Sequence, residues 1–216
     1  YEMIDSRGVS ILPKPFSVGV RVEHLQSDID KMLYGEKAAW YREKGLLPPG
    51  EYSLSYREKQ AGIVSDSARG VYSFCMCPGG EVVAAASEEG GVVTNGMSRY
   101  ARDGVNANSA LVCAVTPADY DGTDPLSGVR FQIALEKKAY AFGGENWKAP
   151  VQKLGDFMTN KNSSSLGEVL PTYPLGTAFA PLHEFFKSEI TESLKAAVCD
   201  MDKRLKGFAS SDAVFT

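Results

Sequence analysis

Residues 71–96 read VYSFCMCPGGEVVAAASEEGGVVTNG. Short apolar runs are cut at close intervals by Pro78-Gly79-Gly80, Glu88-Glu89-Gly90 and Asn95-Gly96, the residue types that make tight turns. The pattern predicts a β-meander with strands Val71–Cys77 and Glu81–Ser87. Val92-Val93-Thr94 then leads into a turn at Asn95-Gly96. Strands joined by so few residues must run antiparallel, because a parallel crossover needs a dozen or more.

Upstream, Val18, Val20 and Val22 alternate with Ser17, Gly19 and Arg21, the period of a half-buried strand over Ser17–Glu23. Ser27 followed by Asp30 is a capping-box variant, predicting a short helix that buries Ile29, Met32 and Leu33 and closes at Gly35. Leu46-Leu47-Pro48-Pro49-Gly50 breaks the chain, after which Tyr52, Leu54 and Tyr56 alternate with serines as a strand. Downstream, Ala110–Val115 reads as a buried strand, for a sheet of roughly five or six strands.

Beyond that the periodicity changes. Asp124 as N-cap and Pro125 at the first helical position open a helix carrying Leu126, Val129, Phe131, Ile133, Leu135, Ala139 and Phe142, stopped by Gly143-Gly144. Residues 160–176 are rich in Ser, Gly and Pro and read as a loop. Pro181 then opens the strongest helix, with Leu182, Phe185, Phe186, Ile190, Leu194, Val198, Met201 and Leu205 on one face and Gly207 at its end. That span is about seven turns. Strands followed by helices, unalternated, predict an α+β fold: a mainly antiparallel sheet or partial barrel with packed helices, one of them long, amphipathic and C-terminal. A single domain over 1–216 is expected, β-rich at 9–118 and helix-rich at 119–210.

The chain has 216 residues, 44% hydrophobic, and a formal net charge of −4. A phosphate-tracking surface needs a basic excess, so nucleic acid is not an expected partner. No apolar run approaches the ~18 residues of a membrane span, so no membrane association is expected. The four cysteines are sparse and follow no signal peptide, which points to a reducing cytoplasm. The abrupt ends, Tyr1-Glu2-Met3-Ile4 and Asp212-Ala213-Val214-Phe215-Thr216, suggest a piece of a longer protein.

Neither G-x-G-x-x-G nor G-x-x-x-x-G-K-[ST] occurs, and with two histidines in the chain no metal site is expected. Cys75-Met76-Cys77-Pro78-Gly79-Gly80 admits three readings. The thiols, two apart on a strand, would share one face as a redox pair. The glycine turn would let a flat ligand approach the backbone. The plain alternative is a core strand ending in a hairpin. The segment Asn95–Gly104 offers an amide, a hydroxyl and two guanidinium groups for an anion or carbonyl; the plain alternative is a solvated connection with an Arg102–Asp103 pair. His24, beside Arg21 and Glu23, is a candidate proton shuttle, against a hydrogen-bonded structural role.

Several strings occur together and in order: Lys14-Pro15-Phe16-Ser17-Val18-Gly19-Val20-Arg21-Val22-Glu23-His24, Phe74-Cys75-Met76-Cys77-Pro78-Gly79-Gly80, Val93-Thr94-Asn95-Gly96-Met97-Ser98, Ala101-Arg102-Asp103-Gly104, Asn106–Ala110, Ala149-Pro150-Val151-Gln152 and Ala213-Val214-Phe215-Thr216. Across nearly its whole length the chain resembles the poorly characterised FAD-dependent dehydrogenases, also called NAD(FAD)-utilising dehydrogenases. The resemblance implies an insertion domain set between two parts of a FAD-binding Rossmann-type core that this chain lacks. Such a piece is not expected to bind FAD or to catalyse alone, and no catalytic residue is assigned.

In the full-length parent the resemblance implies bound FAD, hydride transfer to or from a small-molecule substrate, and NADH or NADPH as the candidate donor. The FAD-binding core of the same polypeptide is the expected partner. The inserted domain would cover the flavin and help form the substrate pocket. Cys77, Pro78, Gly79 and Gly80 are then the expected flavin-facing turn, and Arg21, His24, Asn95, Ser98 and Arg102 the expected substrate contacts. The rival reading is a protein-interaction or ligand-binding module attached to a flavoprotein. A third is an independent thiol-redox domain, which requires Cys75 and Cys77 both exposed.

Overall fold

The alternating valines near the N-terminus form the spine of the molecule. In a computed structural model describing residues 1–58, 69–120, 122 and 124–216, a short helix α1 (Glu2–Ser6) precedes β1 (Phe16–Leu25), α2 (Gln26–Tyr34) and α3 (Ala38–Glu43). There follow β2 (Ser55–Arg57), β3 (Gly70–Cys77), β4 (Gly80–Ala84), β5 (Thr94–Ser98) and β6 (Asn106–Val115). Next come α4 (Ser127–Phe142), β7 (Ala149–Lys153), α5 (Leu154–Met158) and β8 (Thr177–Phe179). A 3₁₀ turn (Leu182–Glu184), α6 (Ser188–Arg204) and β9 (Val214–Phe215) complete the chain.

Seven strands form one open sheet in the order β2-β3-β6-β1-β9-β7-β8. Neighbours are antiparallel except β7 and β8. The fold is therefore α+β with a mostly antiparallel sheet that does not close into a barrel. The longest pairing is β1 with β6, in register from Phe16 opposite Val115 to Leu25 opposite Asn106. On one face Val20, Val22, Leu111 and Cys113 meet Ile190, Leu194, Val198 and Met201 of α6. Each such burial contributes about 1.5–3 kcal/mol. The opposite face carries Arg21, Glu23 and Asn108; the β4–β5 ribbon lies over Arg21 and Asn108, and the 160–176 loop bonds to Glu23.

The meander departs from its expected bounds. β4 stops at Ala84, and the next strand is β5, so Asn95-Gly96 lies inside a strand. Gly96 has no positive φ; a Cβ there would sit 2.1 Å from both Arg21 Nη1 and Asn108 Oδ1. The glycine is required by close packing.

Tyr52 and Leu54 are buried as their alternation suggested, but only Ser55–Arg57 is strand. The Leu54 amide donates to Ser73 Oγ, which interrupts the ladder. Ser27 makes no capping bond. Asp30 instead accepts from Gln26 Nε2 and the Gly50 amide, and Leu33 is exposed.

Asp124 accepts from the Leu126 amide, and α4 starts at Ser127. The last helix starts at Ser188, not Pro181. Lys187 is extended (φ −59°, ψ 150°), and the break lets Phe185 and Phe186 both enter the core, their rings edge-on at 4.7 Å. Ala213–Thr216 supplies β9, an interior strand between β1 and β7.

Candidate functional site

Six of the nine residues expected to bind cofactor or substrate converge where β3 ends against the β4–β5 ribbon. The base of this region is Arg21. Strand alternation directs it away from α6, and its guanidinium is buried. Nη1 donates to Asn108 Oδ1 at 2.6 Å, and Nη2 donates to the Cys75 carbonyl at 3.1 Å. That carbonyl is within reach because β3 carries an irregularity: Phe74 pairs with Ala110, but Cys77 pairs with Asn108. The extra residue gives Cys75 a positive φ of 46°.

The bulge breaks the two-residue period. The thiols do not share a face: Cys75 is exposed and Cys77 buried. Burial pushes the Cys77 thiol up, against the pull of Arg21. An independent redox pair needs both thiols accessible and a lowered pKa, so the thiol-redox reading falls.

The turn after Cys77 is occupied by the chain itself. The Gly79 amide donates to Gln26 Oε1 at 2.6 Å, and the Gly79 carbonyl accepts from the Gly104 amide at 3.1 Å. Ser98 Oγ donates to the Pro78 carbonyl at 2.7 Å. Gly79 has φ +49°, and a Cβ there would lie 2.0 Å from the Arg102 carbonyl oxygen. One at Gly80 would lie 2.7 Å from that of Met97. Both glycines thus answer to backbone of the 97–104 segment. The arrangement offers no cradle for FAD: the turn's N–H and its close-approach face are already in use.

The remaining residues diverge. Arg102 is exposed, with a positive φ of 51°, and its side chain reaches Glu51 at 3.5 Å. Asn95 is exposed and accepts from the Gly96 amide. His24 belongs to the other face. Its Nε2–H donates to the Phe208 carbonyl at 2.8 Å, because a carbonyl can only accept, and its ring lies 5.1 Å from that of Phe208. Burial lowers its pKa and keeps it neutral. That is a structural histidine.

Sequence reading missed the groups that organise the region. Glu23 is fully buried and accepts from Asn106 Nδ2, the Thr172 amide and Thr172 Oγ1, tying the 160–176 loop to β1. Burial pushes its carboxyl up, while these bonds pull it down. Asn106 and Asn108, two apart on β6, were the available signal for a polar face. Gln26 and Thr172 carried none.

Apart from this cluster, a cavity of about 290 Å³ lies between β1, β7 and α4, walled by Val18, Val20, Leu135, Pro150 and Phe186. Among the described residues no group of three or more His, Cys, Asp or Glu could hold a metal ion, and no helix is long and apolar enough to cross a membrane.

Residues 15–216 match the model of the family described as FAD-dependent protein, C-terminal domain-like. The chain belongs to that family. A relative from Clostridium beijerinckii, described as an uncharacterized protein, is 47% identical over 216 residues, covering all of this chain and 39% of the relative. The chain thus spans well under half the length of that relative. As a FAD-dependent protein's C-terminal-like domain it is a flavoprotein-associated unit.

Proposed function

We propose that this domain is the cap of a flavin-dependent oxidoreductase, docking on the FAD-binding core of the same polypeptide and closing the space in which a small substrate meets the flavin. FAD, held by the rest of the protein, would supply the hydride chemistry. The dehydrogenase assignment and the inserted position are part of this proposal. So are a cytoplasmic location, which the four free thiols fit, and a nicotinamide donor.

The observation that carries the reading is the rim around the Cys77–Gly80 turn. Phe74 is 62% exposed, Met97 63%, and Tyr100 fully exposed. Arg99 and Arg102 belong to the same 97–102 segment. Exposed aromatic and apolar side chains beside arginines suit a surface that closes against a partner. The buried Arg21 clamp and the filled turn give that rim a rigid base. In this arrangement Cys77, Pro78, Gly79 and Gly80 act on the flavin side by shaping the rim, and Ser98, Asn95 and Arg102 lie nearest the substrate.

The last helix offers no competing docking stripe, since Ile190, Leu194, Val198 and Met201 are buried. The test is a visible spectrum of the full-length protein, before and after anaerobic NADH or NADPH, beside its Arg102→Ala and Tyr100→Ser variants. A yellow protein whose reduction or flavin retention weakens in both variants supports the cap. A full-length protein without a flavin band, or variants identical to wild type, overturns it.

A further inference from the structure

β9 is an incomplete neighbour for β1. It pairs at Val22 and Glu23, and Arg21 and Thr216 exchange both backbone bonds, at 2.8 and 2.9 Å. In an antiparallel pair such bonds recur every second residue along a strand. The N–H and C=O of Gly19 and Ser17 therefore point along the same edge, past the end of β9. β1 has no strand partner there among the described residues. Across the gap stands β7, whose Gln152 lies opposite Phe215. The next position along that edge is Pro150, which offers a carbonyl and no N–H.

The 290 Å³ cavity is this gap. Residues 16–20 of β1 form one side, Pro150 the other and Thr216 the end. Its walls above and below the sheet are mainly apolar, from Leu135 and Ala139 of α4 and from Leu182, Phe185 and Phe186, with Gln132 and Glu136 of α4 beside them. Thr216 itself is buried, and its Oγ1 has no partner among the described residues.

We propose that this slot seats a further extended segment of the full-length polypeptide, in line with β9 and antiparallel to β1, bonding to Gly19, Ser17 and the Pro150 carbonyl. A strand covered on both faces is apolar along its length, so the occupant is a mainly hydrophobic run. Five strand positions, 16–20, give it about 17 Å of edge. The continuity of the slot with an established strand decides for a strand over a small ligand, and the relative of which this chain covers 39% has polypeptide to supply it. The inference rests on the reading of the chain as one part of a longer flavoprotein.

The experiment is amide hydrogen exchange on the full-length protein, resolved to single residues by fragmentation. Val18 and Val20, held by β6, serve as internal references. The expected result is protection of Ser17 and Gly19 within about tenfold of those references, and at least about 100-fold over free-chain rates. Exchange of Ser17 and Gly19 near free-chain rates, with Val18 and Val20 protected, overturns the proposal. So does protection that grows with protein concentration, which would mean a second copy, or protection lost when flavin is stripped, which would mean a ligand site. A colourless full-length protein with both amides protected would defeat the flavin reading and leave the strand standing.

Discussion

Replacing Gly96 by alanine tests the clamp beneath the rim. The added methyl would lie 2.1 Å from both Arg21 Nη1 and Asn108 Oδ1, against an ordinary contact of at least 3.4 Å, a deficit of about 1.3 Å. Two responses are open. The β4–β5 ribbon can lift, an overpacking response that typically costs about 1–3 kcal/mol. Alternatively the guanidinium withdraws and gives up its bond to Asn108, a loss of about 1.5–3 kcal/mol for a charged donor. Either way the expected destabilisation is about 2 kcal/mol, a fall of about 4–8 °C in Tm for a chain of this size. Urea unfolding should show a lower midpoint with an unchanged slope. Gly70→Ala is the control, because no atom of the described residues lies within 4 Å of its added methyl; it should stay within about 0.5 kcal/mol of wild type. In an Asn108→Ala background the Gly96→Ala cost should fall, because the two share one contact. Equal midpoints for Gly96→Ala and Gly70→Ala would refute the clamp.

Three further outcomes are expected. A thiol reagent should label the exposed Cys75 and Cys199 in the native protein, and the buried Cys77 and Cys113 only on unfolding, since burial raises Cys77 and pushes Cys113 up to about 11; fast labelling of all four would contradict the burial. For Asp119, burial pushes the carboxyl up, but bonds from Arg69 and Thr116 outweigh it and leave the pKa lowered. Its stabilising contribution is present above the unfolded carboxylate pKa and lost as the pH falls through the folded one. The deficit of Asp119→Asn should therefore be largest near neutrality and shrink in acid, and a pH-independent deficit would count against it. Glu23 is raised, so the wild type loses stability as the pH climbs from the unfolded carboxylate value to the folded one; stability against Glu23→Gln, measured across that range, should shift toward the variant with rising pH.

Sequence reading found what periodicity encodes. Val18, Val20 and Val22 located β1, and the three- and four-residue spacing from Ile190 to Met201 located the buried face of α6. Its failures share one cause: the deciding contact lies far along the chain. Gly96 reads as a turn glycine until Arg21, 75 positions earlier, is found beneath it. Cys75 and Cys77 read as one face until the register with Ala110 and Asn108 shows the inserted residue. Asp30 reads as a cap until the Gly50 amide proves to be its partner. At the site, the turn at Gly79 and Ser98 were legible as neighbours, and the Asn106–Asn108 spacing carried a signal, while Gln26 and Thr172 were not legible, because a lone amide or hydroxyl carries no periodic signature.

The place of β9 also sets the order in which the sheet can assemble. β2, β3, β6 and β1 lie in the first 115 residues and pair with one another. They can dock as soon as those residues leave the ribosome, as chain segments generally do during synthesis. Among the described residues β7 and β8 pair with that set only through Val214 and Phe215. Most of the chain must therefore be made, and two half-sheets held apart, before a two-residue wedge can join them. Joining through so distant a strand is slow by its topology. Until it happens, the edge of β1 stays open to any extended chain nearby, so the nascent protein's main exposure to mispairing lies along the seam that its finished form hides most deeply.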